Sequence, residues 1–143
     1  MYASWNEKSD KIYYSHNYYI IHPDGKGDYK GFVFSRVDVN TLQIDSLYYV
    51  SNVNLYLDDC TVSPDEKEIL FSAYYGSPPI KNIWKINLQT KEMIQITFNG
   101  GSYPAYDPTG HQIVYTNTNI KEGGLWIMNS DGSNKRILAK LKR

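Results

Sequence analysis

The chain has 143 residues and a mass of 16.5 kDa, and its 15 Lys and Arg balance 15 Asp and Glu. That length is one domain able to bury a core, and 41% hydrophobic with 21% charged residues excludes a disordered chain. No stretch approaches the roughly 20 apolar residues needed to span a bilayer, zero net charge argues against a nucleic-acid binder, and a single cysteine, Cys60, excludes an internal disulfide. Fourteen Tyr, three Trp and four Phe, with abundant Ile and Val, suit pleated, half-buried surfaces and point to an all-β fold.

The chain opens with Met1-Tyr2-Ala3-Ser4-Trp5-Asn6-Glu7, which has neither the basic n-region nor the apolar h-region of a signal peptide. Two expectations stand: a cytoplasmic protein, or one whose export signal or upstream domain lies elsewhere. The segment Trp5 to Ser15 then reads as a large apolar residue, a polar turn, and Ile-Tyr-Tyr-Ser. A 13-residue excess follows, read as a long hairpin near residues 16–30 that turns at His22-Pro23-Asp24-Gly25 and returns through Tyr29 and Phe32. Tyr18, Tyr19, His22 and Tyr29 make its tip a candidate partner contact, since Tyr is enriched at interface hot spots. The alternative is a tolerated insertion whose tyrosines cover neighbouring surface. Phe32 to Asn40 and Leu42 to Asp45 supply the third and fourth strands of this unit.

The opening pattern recurs without a gap at Val62-Ser63-Pro64-Asp65-Glu66-Lys67-Glu68-Ile69-Leu70-Phe71-Ser72 and at Tyr106 to Thr116. In each recurrence a second pair of strands follows: Asn82 to Thr90 with Met93 to Thr97, and Leu125 to Asn134 with Lys135 to Leu138. A period of about 40 to 50 residues with four strands apiece is the signature of β-propeller blades. The spacing assigns blade 1 to about residues 1–57, blade 2 to about 58–101 and blade 3 to about 102–143. Asp107-Pro108-Thr109-Gly110 and Ser130-Asp131-Gly132 carry turn chemistry between strands.

Val62-Ser63-Pro64-Asp65, Ile83-Trp84-Lys85-Ile86-Asn87 and Trp126 to Asn134 resemble the WD-like repeats of TolB-type β-propellers. The resemblance implies three four-stranded antiparallel blades, a protein-interaction scaffold of the bacterial envelope, and a periplasmic or extracytoplasmic compartment. The chain departs from the pattern at the turn glycine, which is Ser9 in the first unit and Glu66 in the second. Propellers close with four to eight blades. Three blades therefore require either the remaining blades of a longer chain or a second copy, two copies making a six-bladed ring.

His16, His22 and His111 sit in unrelated contexts without metal-ligand spacing, and no nucleophile elbow or phosphate-cradling loop occurs. No cofactor and no metal are expected. Asp58 and Asp59 are read as channel-mouth polar residues, as a candidate carboxylate pair or cation holder, or as a polar entry to an inner strand. Lys135, Arg136, Lys140, Lys142 and Arg143 are read as a solvated final strand and tail, Trp84 and Trp126 as buried blade-packing residues, and Cys60 as a small buried hydrophobe on an inner strand.

The reading is a non-catalytic binding module for a protein or peptide, without nucleic acid or membrane insertion. Its alternatives are the regulatory propeller of a larger enzyme, such as a prolyl-oligopeptidase-type peptidase, and a polysaccharide-active propeller.

Overall fold

Aromatic and β-branched residues alternate with polar ones through most of this chain, and the computed structural model turns each such run into a strand; residues 2–117, 119, 121 and 123–140 are described. The first sheet holds β1 (Tyr2–Trp5), β2 (Lys11–Ile21), β3 (Gly27–Asp38) and β4 (Ile44–Val50). The second holds β5 (Tyr56–Val62), β6 (Glu68–Tyr75), β7 (Ile80–Asn87) and β8 (Met93–Gln95). The third holds β9 (Ser102–Tyr106), β10 (Gln112–Asn117), β11 (Gly124–Asn129) and β12 (Arg136–Lys140). Each sheet is an antiparallel meander in chain order. The first strands lie against one another, β1 on β5 and β5 on β9, so they are the innermost strands of three consecutive propeller blades.

The registers show that the three blades are built alike. Ile12 lies opposite Trp5 and Val37, Ile69 opposite Val62 and Ile86, and Ile113 opposite Tyr106 and Met128. The turns between first and second strands are alike too, despite different residues. Lys11 N–H donates to Asn6 Oδ1 at 2.9 Å, Glu68 N–H to Ser63 Oγ at 2.9 Å, and Gln112 N–H to Asp107 Oδ1 at 2.9 Å. Ser9, Glu66 and Gly110 share the left-handed conformation, at φ 56°, 59° and 74°. The departures from glycine thus keep the turn type at a steric cost of about 1 kcal/mol each.

At Glu66 that cost is offset. Its carboxylate accepts from Tyr13 Oη at 2.6 Å and Asn6 Nδ2 at 3.0 Å, and Lys11 Nζ stands 3.6 Å away, so it ties the second blade to the first. Burial pushes the Glu66 carboxyl up, but these donors outweigh it and hold it below the usual range. Between the same blades, Phe32, Phe34 and Phe71 meet with centroids 5.2–5.7 Å apart, surrounded by Tyr13, Val62, Ile69 and Ile86. Leu70 and Ile83 pack against Ile113, Tyr115 and Met128 to join the second blade to the third.

Two expectations change. The fourth strand of the first blade runs over Ile44–Val50, because Leu42, at φ 59°, belongs to the turn. Trp84 and Trp126 do occupy matching positions, beside Phe71 and Tyr115, but both are half-buried. The Trp84 indole N–H is buried without an acceptor. Phe71→Ala is therefore expected to cost about 4 kcal/mol in denaturant unfolding, Trp84→Ala about 2, and Trp84→Phe under about 1.

Burial and the bond to Glu66 push the Tyr13 phenol up to about 12, and burial does the same for Tyr29. Both hold their protons more tightly folded than unfolded, where the value is near 10. The stability they contribute is complete below pH 10 and is lost as pH rises from 10 to 12. Thermal melts across that range should show the fall, with a shallower slope in Tyr13→Phe.

Candidate functional site

The innermost strand of each blade runs from the end carrying the hairpins between second and third strands to the end carrying the short turns. The exposed large apolar side chains divide unevenly between these ends. Trp5, Leu42 and Ile44 lie toward the turn end, Ile94 and Leu138 sit on outermost strands, and the others described as exposed lie toward the hairpin end.

The hairpin of the first blade dominates that end. β1 covers β2 only from Ile12 to Ser15, and β4 covers β3 only from Phe32 to Val37, so Tyr18–Ile21 and Gly27–Gly31 pair only with each other. The projecting tip closes with His22 N–H donating to Lys26 O at 2.8 Å and Gly25 at φ 82°. His22 Nε2 stands 3.1 Å from Asp28 Oδ2; hydrogen bonds from His22 and Lys30 hold the Asp28 carboxyl below its usual range. Tyr18 and Tyr19 point to opposite faces as consecutive strand residues do, and a register shift that leaves Lys30 unpaired brings Tyr29 opposite Tyr19. Tyr18 meets Tyr49 edge-on at 5.2 Å, while Tyr19 meets Tyr29 at 5.6 Å and Tyr29 stacks on Tyr56 at 5.5 Å. Tyr29 Oη donates to Leu55 O at 2.9 Å, which fastens the hairpin to the connection between blades.

From Tyr56 the aromatic surface continues toward the axis. Tyr74 lies opposite Tyr56 in register, and Lys81 Nζ sits 4.8 Å from the Tyr74 ring centre and 5.4 Å from that of Tyr103. The same ammonium lies 2.5 Å from Asp58 Oδ2. Burial alone would lower the Lys81 pKa, but Asp58 and Tyr74 outweigh it and raise it. Lys81 thus stays charged, held between a carboxylate and two aromatic faces. A cleft of about 490 Å³ opens beside it, lined by Tyr74, Ile80, Lys81, Phe98 and Gly100.

Asp58 and Asp59 lie within β5, not before it. The register shift between Leu57 and Asp59 turns their side chains to different tasks. Asp58 takes Lys81, with Tyr2 Oη at 3.5 Å. Asp59 accepts from the Ser72 N–H at 3.2 Å, the Ser72 hydroxyl, and the Tyr103 N–H at 3.0 Å, which links the second blade to the third. Burial raises its pKa against the pull of those donors. The two carboxylates therefore have separate partners.

The remaining candidates are dispersed. Burial pushes the Cys60 thiol up to about 11, away from the reactive thiolate form. Lys135 folds back onto Gly132 O, Arg136 and Lys140 lie on the outermost strand, and Lys142 and Arg143 fall outside the described residues. Among the described residues no three His, Cys, Asp or Glu side chains gather as metal ligands, and no helix is long and apolar enough to cross a membrane.

Of the residues singled out from sequence, Tyr19 and Tyr29 come together, while Tyr18 and His22 face other neighbours. Tyr49, Tyr56, Tyr74, Lys81 and Tyr103 were missed. Tyr56 and Tyr103 lie in the first half of innermost strands, and that placement toward the hairpin end was the available signal.

No family model matches the sequence, and no curated protein matches it. Solved structures do. TolB from Acinetobacter baumannii matches at 17% identity and a TM-score of 0.66, over 96% of this chain and 31% of that one. An oligogalacturonate lyase in complex with manganese matches at 15% and 0.70, over 96% of this chain and 39% of that one. The β-propeller domain of the Trilobed protease from Pyrococcus furiosus matches at 14% and 0.59, over 94% and 42%. The likeness shows the fold, a TolB-like β-propeller, and the chain spans about a third to two fifths of these structures' lengths.

Lys81→Met is expected to lower stability by about 1 to 2 kcal/mol, because Asp58 keeps its charge and loses its cation. Adding Asp58→Asn should recover part of that loss in a double-mutant cycle read by denaturant unfolding.

Proposed function

We propose that this chain is a non-catalytic binding module that holds a protein or peptide partner across the hairpin end of its propeller. The observation that carries the reading is the continuous aromatic surface from Tyr19 through Tyr29 and Tyr56 to Tyr74 and Tyr103. Exposed aromatic patches of this kind favour binding, because each ring contributes large contact area at little entropic cost. The Lys81–Asp58 pair at its axial end supplies one charge of each sign for orienting a polar backbone. The propeller scaffold also carries enzymes, including a lyase and a protease among the matched structures, so the argument rests on the site.

The test is selection of displayed peptides on the immobilised chain, followed by titration of the winners. Dissociation constants in the micromolar range are expected, weakened tenfold or more by Tyr56→Ala with Tyr103→Ala and unchanged by Leu42→Ala on the turn end. Binding of oligosaccharides with no peptide selected would favour the polysaccharide reading, and binding indifferent to Tyr56 and Tyr103 would overturn the assigned surface.

A further inference from the structure

Six described non-glycine residues take a left-handed backbone, and five of them lie in turns between strands. The sixth, Tyr103, lies within β9 at φ 53°. That region is uncommon for any side chain and an outlier for a bulky one, and a following proline, here Pro104, favours extended backbone instead. The pairing accounts for the form. Ser102 stands opposite Thr116 and Ala105 opposite Val114, so Tyr103 and Pro104 together oppose Tyr115. This is a bulge, which re-aims a side chain. Pro104 is buried, while Tyr103 is 63% exposed with its ring centre 5.4 Å from Lys81 Nζ.

A bulged N–H leaves its own ladder and needs another acceptor. The Tyr103 N–H finds one on the preceding blade, at Asp59 Oδ2, 3.0 Å away. β5 is bulged as well, with Asp58 as the extra residue between Leu57 and Asp59. Of the donors to Asp59, the Ser72 N–H and hydroxyl belong to its own sheet, and the Tyr103 N–H comes from the third blade.

We propose that Asp59 is the positioning residue of the hairpin-end surface: its carboxylate holds Tyr103 in the left-handed form beside Lys81, and when it takes up a proton Tyr103 relaxes, its ring leaves Lys81 and the bound partner is released. Release rests on the hairpin end being the binding surface proposed above, whereas the hold on Tyr103 does not. A hydrogen bond to a charged acceptor is roughly twice as strong as one to a neutral acceptor, so the charge is what keeps a strained residue in place. On protonation the Ser72 hydroxyl can rotate and accept, but an N–H can only donate, so the bond from Tyr103 is the one that weakens.

Burial raises the Asp59 pKa and the Asp58 charge adds to the rise, so this carboxyl takes up its proton ahead of Glu66, which is held below the usual range. The folded chain binds the Asp59 proton more tightly than the unfolded chain does. Its uptake therefore adds stability as pH falls, and the change is local rather than an unfolding. The ionisable groups around Asp59 are Asp58 and Cys60 on its own strand, Tyr2 on β1 and, through Asp58, Lys81 on β7 with Tyr74 on β6. Burial raises Tyr2 and Cys60, away from their charged forms, and Asp58 and Lys81 form a pair.

NMR on the isotope-labelled 143-residue chain reads the hold on Tyr103 without a partner. Acidified from about pH 7 to about pH 4, across the carboxylate range, the Tyr103 amide proton is expected to move upfield in one transition with circular dichroism unchanged. Asp59→Asn should keep that resonance at its acid position throughout, and Asp58→Asn should move the transition to lower pH. Tyr103→Gly should unfold at higher denaturant than Tyr103→Ala, the reverse of the usual order in strands, because glycine takes φ 53° freely. Titrated with the selected peptides, the chain should lose tenfold or more in affinity across the same transition, and Asp59→Asn should bind weakly at both ends of it. A Tyr103 amide that ignores pH, a transition that survives Asp59→Asn, or a more stable Tyr103→Ala overturns the proposal. So does an affinity that stays level through the transition, with the binding reading left intact. Selection of no peptide at any pH counts against the binding reading and hence against release, while the amide transition still decides the hold on Tyr103.

Discussion

A four-stranded sheet whose two faces are both apolar is stable only where each face meets another sheet, and the whole chain answers to that constraint. The second blade has both neighbours, and its Leu70, Phe71, Ile83 and Ile86 are fully buried. Everything else is arranged around this stacking. Because corresponding residues of successive blades fill corresponding positions, the recurrence of Ile12, Ile69 and Ile113 in register is a packing requirement. The identity of the residue at the turn is free so long as it accepts the strand's first N–H, which Asn6, Ser63 and Asp107 all do.

Polar groups fix the blades' positions where apolar contact alone would let them slide. Glu66 ties the first pair of blades through Tyr13, Asn6 and Lys11. Asp59 ties the second pair through Tyr103, and Tyr106 Oη donates to Glu68 Oε2 at 2.9 Å in the same interface. These carboxylates are half-buried, yet each finds several donors, as their desolvation requires. The same logic separates Asp58 from Asp59: one carboxylate serves the blade contact and the other holds Lys81 at the axis.

The aromatic end follows from the same geometry. Strands that outrun their neighbours, as β2 and β3 do, leave side chains with no sheet to pack on, so the tyrosines there pack on one another and on the connection between blades. Two of these rings, Tyr29 and Tyr49, are held through their hydroxyls to main-chain carbonyls, while Tyr19 and Tyr56 are exposed.

The sequence by itself determined the all-β class, the three repeats, the innermost strands before each turn and the projecting hairpin, because period-two alternation and turn chemistry are local properties. It also pointed to Tyr19 and Tyr29. Only the tertiary structure decided that Tyr29 meets Tyr19, because the extra residue Lys30 shifts the pairing by one and changes which side chain stands opposite. Likewise, only packing decided that Glu66, a misfit to its turn motif, belongs where it is, since its donors lie 53 to 60 residues away in sequence. The Lys81 cluster was illegible for the same reason: Asp58, Tyr74, Lys81 and Tyr103 come from four strands on two blades, and no spacing along the chain encodes their meeting.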